Sequence, residues 1–143
     1  MGSWGVFLKF LHERFEVRTK ERFEVIDVTD KVKEFIYNNS VTNGLLSISV
    51  PHTTAAIAIN EAERGLMEDI VTSIRSLFNP ERAWKHNLVD NNAHAHLAAT
   101  FIGNSRCVSV VNGTIQLGRW QRVLLIEMDG PRSRLIELTF VGE

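Results

Sequence analysis

A chain of 143 residues has room for one domain, taken here as residues 1–143. Its 44% hydrophobic and 23% charged residues exclude a disordered chain. Its 16 Lys and Arg stand against 17 Asp and Glu with no basic stripe, so nucleic acid is not an expected partner. A chain of this size buries a core without a metal or a disulfide, so a bound metal would serve function rather than folding. Cys107 is the single cysteine, which rules out an intrachain disulfide and suits a reducing, cytoplasmic location.

No membrane partner is expected either. The stretch Phe35–Asn60 has no Asp, Glu, Lys or Arg, but Asn38-Asn39-Ser40, Asn43-Gly44 and Pro51-His52-Thr53-Thr54 make it a poor span. Near the start, Lys9 and His12 break up the apolar residues that a signal peptide needs. Val6 stands where myristoylation of Gly2 would want Ser or Thr.

From about Gly5 to Ile26, apolar and polar residues alternate, with Phe15 and Val17, then Phe23 and Val25, on one face. That period predicts strands, joined by a turn or bulge in Arg18–Arg22. Thr29-Asp30 opens a helix that Thr29 caps, with Val32, Phe35 and Ile36 on one side, and Asn43-Gly44 turns the chain after it. Leu45–Val50 and Ala55–Ile59 are apolar strand runs, and Pro51–Thr54 between them reads as a bulge within one long strand pair. Leu66, Met67, Ile70, Val71, Ile74, Leu77 and Phe78 keep helical spacing, which predicts a helix over Ala62–Phe78 stopped by Asn79-Pro80. The polar stretch Trp84–His94 lacks periodicity, and Ala95–Phe101 reads as a short helix ended by Gly103-Asn104. Strands follow at Arg106–Val111, Val123–Met128 and Leu135–Val141, with Asn112-Gly113 as a hairpin turn and Cys107 as a buried strand residue. Strands at both ends around central helices imply an α+β fold, a mainly antiparallel sheet with two or three helices packed on one face.

The chemistry concentrates in histidines. Between Trp84 and His96 stand His86, His94 and His96, with Asp90 and three asparagines, Asn87, Asn91 and Asn92. Imidazoles are good ligands for Zn²⁺, and nearby Asp or Asn can fix a ring tautomer. His52 follows Pro51 at a strand end, with the hydroxyls of Thr53 and Thr54 beside it, and Asn60-Glu61 closes the next apolar run. Gly118-Arg119-Trp120-Gln121 offers a close backbone approach, a ring to stack on and an amide. No phosphate loop and no Gly-x-Ser-x-Gly elbow occurs.

Six segments in order resemble the YjbQ family, also called the secondary thiamine-phosphate synthase family: Pro51-His52-Thr53-Thr54-Ala55, Ile59-Asn60-Glu61, His86-Asn87, Asn92-Ala93-His94-Ala95-His96-Leu97, Ile102-Gly103-Asn104-Ser105 and Leu117-Gly118-Arg119-Trp120-Gln121. The resemblance covers nearly the whole chain. It implies an α+β fold with an antiparallel sheet, a homotrimer, a zinc-like metal or an anion near the histidines, and a weak thiamine-phosphate synthase activity. In such an enzyme His52, His86 and His96 would hold a divalent metal, Zn²⁺ or Mg²⁺. Thr53, Thr54 and Asn92 would bind phosphate oxygens of a small phosphorylated metabolite, with His94 at the pocket rim. Gly118, Trp120 and Gln121 would receive a heterocycle, and Glu61 or Asp90 would orient a histidine or move a proton. A histidine-rich site suggests zinc more than the carboxylate-bound Mg²⁺ usual in diphosphate chemistry. A zinc-dependent hydrolase is therefore the alternative enzyme, and a metal- or phosphometabolite-binding protein the non-enzymatic alternative.

Overall fold

The structure is a computed structural model and describes residues 8–143. Gly2, Val6 and the Gly5–Phe7 start of the first expected strand lie outside the described residues. In chain order the elements are β1 (Lys9–Arg18), β2 (Glu24–Asp27), α1 (Thr29–Asn38), β3 (Gly44–Ser49), β4 (Ala55–Asn60), α2 (Arg64–Leu77), α3 (Ala93–Ile102), β5 (Ser105–Val111), β6 (Thr114–Ile115), β7 (Arg122–Glu127) and β8 (Ser133–Gly142). A 3₁₀ turn at Lys85–Leu88 precedes α3. Among the described residues all strand pairs are antiparallel. Five strands form one sheet in the order β1-β8-β3-β5-β6, and three form a second, β2-β7-β4.

The sequence pattern explains the layering. β4 and β7 are apolar at nearly every position because both faces of their sheet are covered. Ala55, Ile57, Val123 and Leu125 enter the core between the sheets, whereas Ala56 and Ile126 pack under α2 and α3 with Ile74, Ala95 and Ala98. β3 and β8 instead alternate, sending Leu46, Ile48, Ile136, Leu138 and Phe140 inward. Each such side chain, buried completely, contributes about 1.5–3 kcal/mol. The α+β class with helices on one face of an antiparallel sheet holds for α2 and α3. Helix α1 sends Val32, Phe35 and Ile36 into the core between the sheets instead.

Several local expectations change. β3 and β4 do not form one long pair: Pro51–Thr54 carries the chain from the five-stranded sheet to the three-stranded one. Pro51 has no N–H to extend a ladder. β1 and β2 likewise enter different sheets. Thr29 is the first residue of α1 rather than its cap, and its hydroxyl donates to Asp27 and accepts from the Val123 N–H. Glu63 caps α2 by accepting from the N–H groups of Gly65 and Leu66. Cys107 is exposed, because β5 turns Val108 and Val110 inward and the alternate residues outward. Val111 is 45% exposed, so β5 is covered on one face only. Asn112 (φ 51°) and Gly113 (φ 76°) make the expected hairpin turn between β5 and β6, with both residues at positive φ.

Candidate functional site

His52 lies in the turn that crosses between the sheets. The backbone N–H of Leu135 in β8 donates to His52 Nε2 at 3.0 Å. An amide N–H can only donate, so Nε2 is an acceptor and the neutral ring carries its proton on Nδ1. Burial and then the nearby Arg134 guanidinium push the His52 pKa below the usual imidazole range, which keeps the ring neutral.

A buried ion pair anchors this turn. Arg134 of β8 and Glu127 of β7 have side chains 3% and 0% exposed. Arg134 Nε donates to Glu127 Oε1 at 2.9 Å, and Nη2 bonds Glu127 Oε2 as well. The same Nη2 donates to Thr54 Oγ1 at 2.8 Å and to the Thr54 carbonyl at 3.2 Å. Glu127 also accepts from Thr19 Oγ1 at 2.7 Å and from the N–H groups of Met128 and Asp129 at 3.0 and 3.1 Å. A buried carboxylate with this many donors is fully satisfied.

Helix α3 supplies the facing wall. His96, Ala99, Thr100 and Gly103 stand at i, i+3, i+4 and i+7 and share one face. With His52, Thr53 and Asn104 they line a cavity of about 370 Å³. The end of α3 is pinned to β4 and to the residue that follows β3: the Gly103 carbonyl accepts from Ile57 N–H at 3.1 Å and the Asn104 carbonyl from Val50 N–H at 2.9 Å.

His96 also walls a second cavity of about 600 Å³, lined by Trp84, Lys85, His86, Ala93 and Leu97. The His86 and His96 rings meet edge to face, centroids 4.7 Å apart. His86 Nε2 is hydrogen-bonded to Asn92 Oδ1 at 3.1 Å, and Asn92 Nδ2 donates to Asp129 Oδ2 at 2.9 Å. Arg132 Nη2 donates to the same carboxylate oxygen at 2.9 Å.

Residues 13–143 match the family described as UPF0047 protein YjbQ-like. The chain belongs to the YjbQ family. A UPF0047 protein of Archaeoglobus fulgidus is 45% identical over 120 residues, which are 84% of this chain and 93% of that protein. Another, from Methanothermobacter thermautotrophicus, is 37% identical over 139 residues, 97% of each chain. Among solved structures, a YbjQ-like protein of unknown function from Sulfolobus solfataricus is similar at a TM-score of 0.94 and 46% identity, covering 96% of this chain and 100% of that one. A hypothetical protein from Aeropyrum pernix is similar at a TM-score of 0.92 and 56% identity, covering 93% and 99%.

The YjbQ motif residues do not all meet in one place. His52, Thr53 and His96 share the smaller cavity, and His86 joins His96 in the larger. Glu61 and Trp120 line a separate pocket of about 250 Å³ with Asp27, Glu63, Arg119 and Arg122. They lie beyond the far end of β4 from His52, and the six residues of β4 span about 20 Å. Trp120 is 62% exposed with the Arg119 guanidinium 4.9 Å from its ring centroid. Gln121 Oε1 accepts from Gly118 N–H at 2.7 Å and closes that loop rather than facing the histidines.

Other assignments are corrected by burial. Because α3 begins at Ala93, the side chains of 94 and 96 diverge by about 200°. His94 is fully buried, bonded through Nε2 to the Met128 carbonyl at 3.1 Å and packed on Phe23, so it serves the core and not a substrate. Burial pushes its pKa down. Thr54 and Asn92 are buried too, the first bonded to Arg134 and the second to His86 and Asp129, so neither is free for a phosphate. Asp90 is exposed, lines neither cavity, and accepts from its neighbour Asn91 N–H at 2.8 Å.

A metal held by His52, His86 and His96 does not fit this arrangement. Among the described residues, no three His, Cys, Asp or Glu side chains come together as a metal site. His52 has Nε2 occupied and the proton on Nδ1, so it offers no lone pair. His86 and His96 alone fall short of the three or four protein ligands of a zinc site.

Sequence reasoning missed Trp84, Lys85, Thr100 and Asn104 in the cavity walls, and Glu127, Asp129, Arg132 and Arg134 behind them. The i+4 step from His96 points to Thr100. Arg134 could have been found as a charged residue at the inward period-two position ahead of Ile136, Leu138 and Phe140.

Proposed function

We propose that this YjbQ-family chain is a cytoplasmic enzyme acting on small phosphorylated metabolites, with a thiamine-phosphate synthase-type transfer as a secondary activity. The observation that carries this reading is the pair of cavities, about 370 and 600 Å³, that share His96 as a common wall. Each is of small-molecule size, and adjoining cavities can hold the charged end and the ring end of one substrate at a fixed separation. In the reaction, the thiazole nitrogen of the thiazole phosphate gives its lone pair to the methylene carbon of the pyrimidine methyl diphosphate. The C–O bond breaks, and pyrophosphate leaves with its electron pair. The protein's part is to hold the diphosphate and stabilise the charge that develops on it.

The smaller cavity suits that task. His52 Nδ1–H, the Thr53 hydroxyl and the Asn104 amide are its donors. Of the charged groups that act on His52, Arg134 and Arg132 are cationic, and the Glu127 carboxylate between them in strength opposes part of their effect. The larger cavity, with Trp84 and Leu97, suits a ring. The proposal includes a homotrimer: Leu45, Val111 and Val141 on the outer face of the five-stranded sheet are 56%, 45% and 48% exposed, apolar surface that suits a second copy.

The test is formation of thiamine phosphate from the two substrates. Wild-type protein forms it, and His96→Ala, which removes the common wall, lowers the rate about 100-fold. An unchanged rate in His96→Ala would sink the reading.

A further inference from the structure

We propose that Asp129 is a positioning residue: acting through Asn92, it holds the proton of His86 on Nε2 and leaves Nδ1 as the free acceptor of the larger cavity. The argument is one of hydrogen-bond direction. The Asp129 carboxylate is paired with Arg132, whose Nη2 lies 2.9 Å from Oδ2 and whose Nε donates to the Asp129 carbonyl at 2.9 Å. A carboxylate that faces a guanidinium in this way can only accept. It therefore takes the NH₂ end of Asn92, at 2.9 Å. The other end of the amide, Oδ1, must then face His86 Nε2, at 3.1 Å. An acceptor there requires an N–H on the ring, so the neutral imidazole is the Nε2–H tautomer.

A second observation shows that the Asn92 amide is committed to this chain. Asn92 occupies the N-cap of α3, where an asparagine side chain ordinarily bonds the helix and contributes about 1 kcal/mol. Here it makes no cap bond, and it is 5% exposed, so water does not compete for it.

His52 is fixed in the opposite tautomer by Leu135 N–H. Asp129 lies in the β7–β8 connection and Leu135 near the start of β8, so one corner of the fold sets both rings. His52, which lines the smaller cavity, then keeps a ring N–H donor, and His86, which lines the larger, keeps a ring acceptor. Resting on the function proposed above, this names what the larger cavity selects: an aromatic ring bearing an N–H donor, such as the exocyclic amine of a pyrimidine.

The test is the long-range ¹H–¹⁵N spectrum of the histidine rings in ¹⁵N-labelled protein without substrate, at about pH 8, above the usual imidazole range. In wild type, the protonated nitrogen of His86 is expected to be Nε2, which couples to both ring C–H protons. Asp129→Ala and the isosteric Asp129→Asn no longer force one end of Asn92 toward the ring, so His86 shifts to a mixture of tautomers. Asp129→Glu restores the wild-type pattern. A wild-type His86 protonated on Nδ1 would overturn the inference even if no variant folds. A wild-type pattern retained in both Asp129→Ala and Asp129→Asn would overturn it too. No substrate enters the measurement, so its outcome is separable from that of the transfer assay.

Discussion

Arg134→Met is the substitution with the most calculable consequence. It removes the guanidinium that bonds Glu127 twice and Thr54 twice, and it leaves a carboxylate that is 0% exposed. Removing one partner of a buried pair costs about 3–5 kcal/mol. Glu127 keeps its bonds from Thr19 Oγ1 and from the N–H groups of Met128 and Asp129, which offset part of the loss. The expected cost is therefore about 3 kcal/mol, at the low end of that range. For a chain of this size each kcal/mol moves the unfolding midpoint by about 2–4 °C, so Tm falls by about 6–12 °C. Adding Glu127→Gln removes the stranded charge while keeping an acceptor oxygen, and at least half of the loss should return. Thermal unfolding followed by circular dichroism reads both. A single variant costing under about 1 kcal/mol, as a surface change does, would refute the buried-pair reasoning. So would a double variant as unstable as the sum of its parts.

Acid should destabilise the protein through its neutral histidines. His94 and His52 both have pKa values lowered in the folded chain, each chiefly by burial, so the unfolded chain binds protons more readily. Their effect is absent well above the unfolded value of about 6.5 and grows as pH falls through it. For fully buried His94 the slope approaches about 1.4 kcal/mol per pH unit until the folded pKa is reached. Chemical denaturation at several pH values should show this slope reduced in His94→Leu, and an unchanged slope would contradict the assignment. Light scattering should give a trimer mass, and a substitution of Val141→Lys on the open sheet face should lower it toward the monomer. A wild-type monomer mass would refute the assembly.

The fold was largely legible because its strands and helices write their burial into residue spacing. The period of α2 and the turn residues Asn112-Gly113 led to the right elements. What spacing does not encode is which strand pairs with which, so the Pro51–Thr54 crossover read as a bulge. Histidine clustering located the cavities, but not the roles of individual residues. His94 and His96 look equivalent in sequence, and only the start of α3 at Ala93 sends one into the core and the other to the cavities. The tautomers of His52 and His86 depend on Leu135 and Asp129, 83 and 43 residues away in sequence, beyond the reach of any local pattern.

The most direct test of the histidine cavities as the binding site is a titration of ¹⁵N-labelled protein with inorganic pyrophosphate, read at the histidine rings and the Trp120 indole N–H. If the cavities hold the diphosphate, His52 and His96 resonances move saturably while Trp120 stays in place, and His52→Ala weakens binding by about tenfold or more, as expected for losing a hydrogen bond to a charged group. Saturable movement at Trp120 with His52 and His96 unmoved would contradict that conclusion.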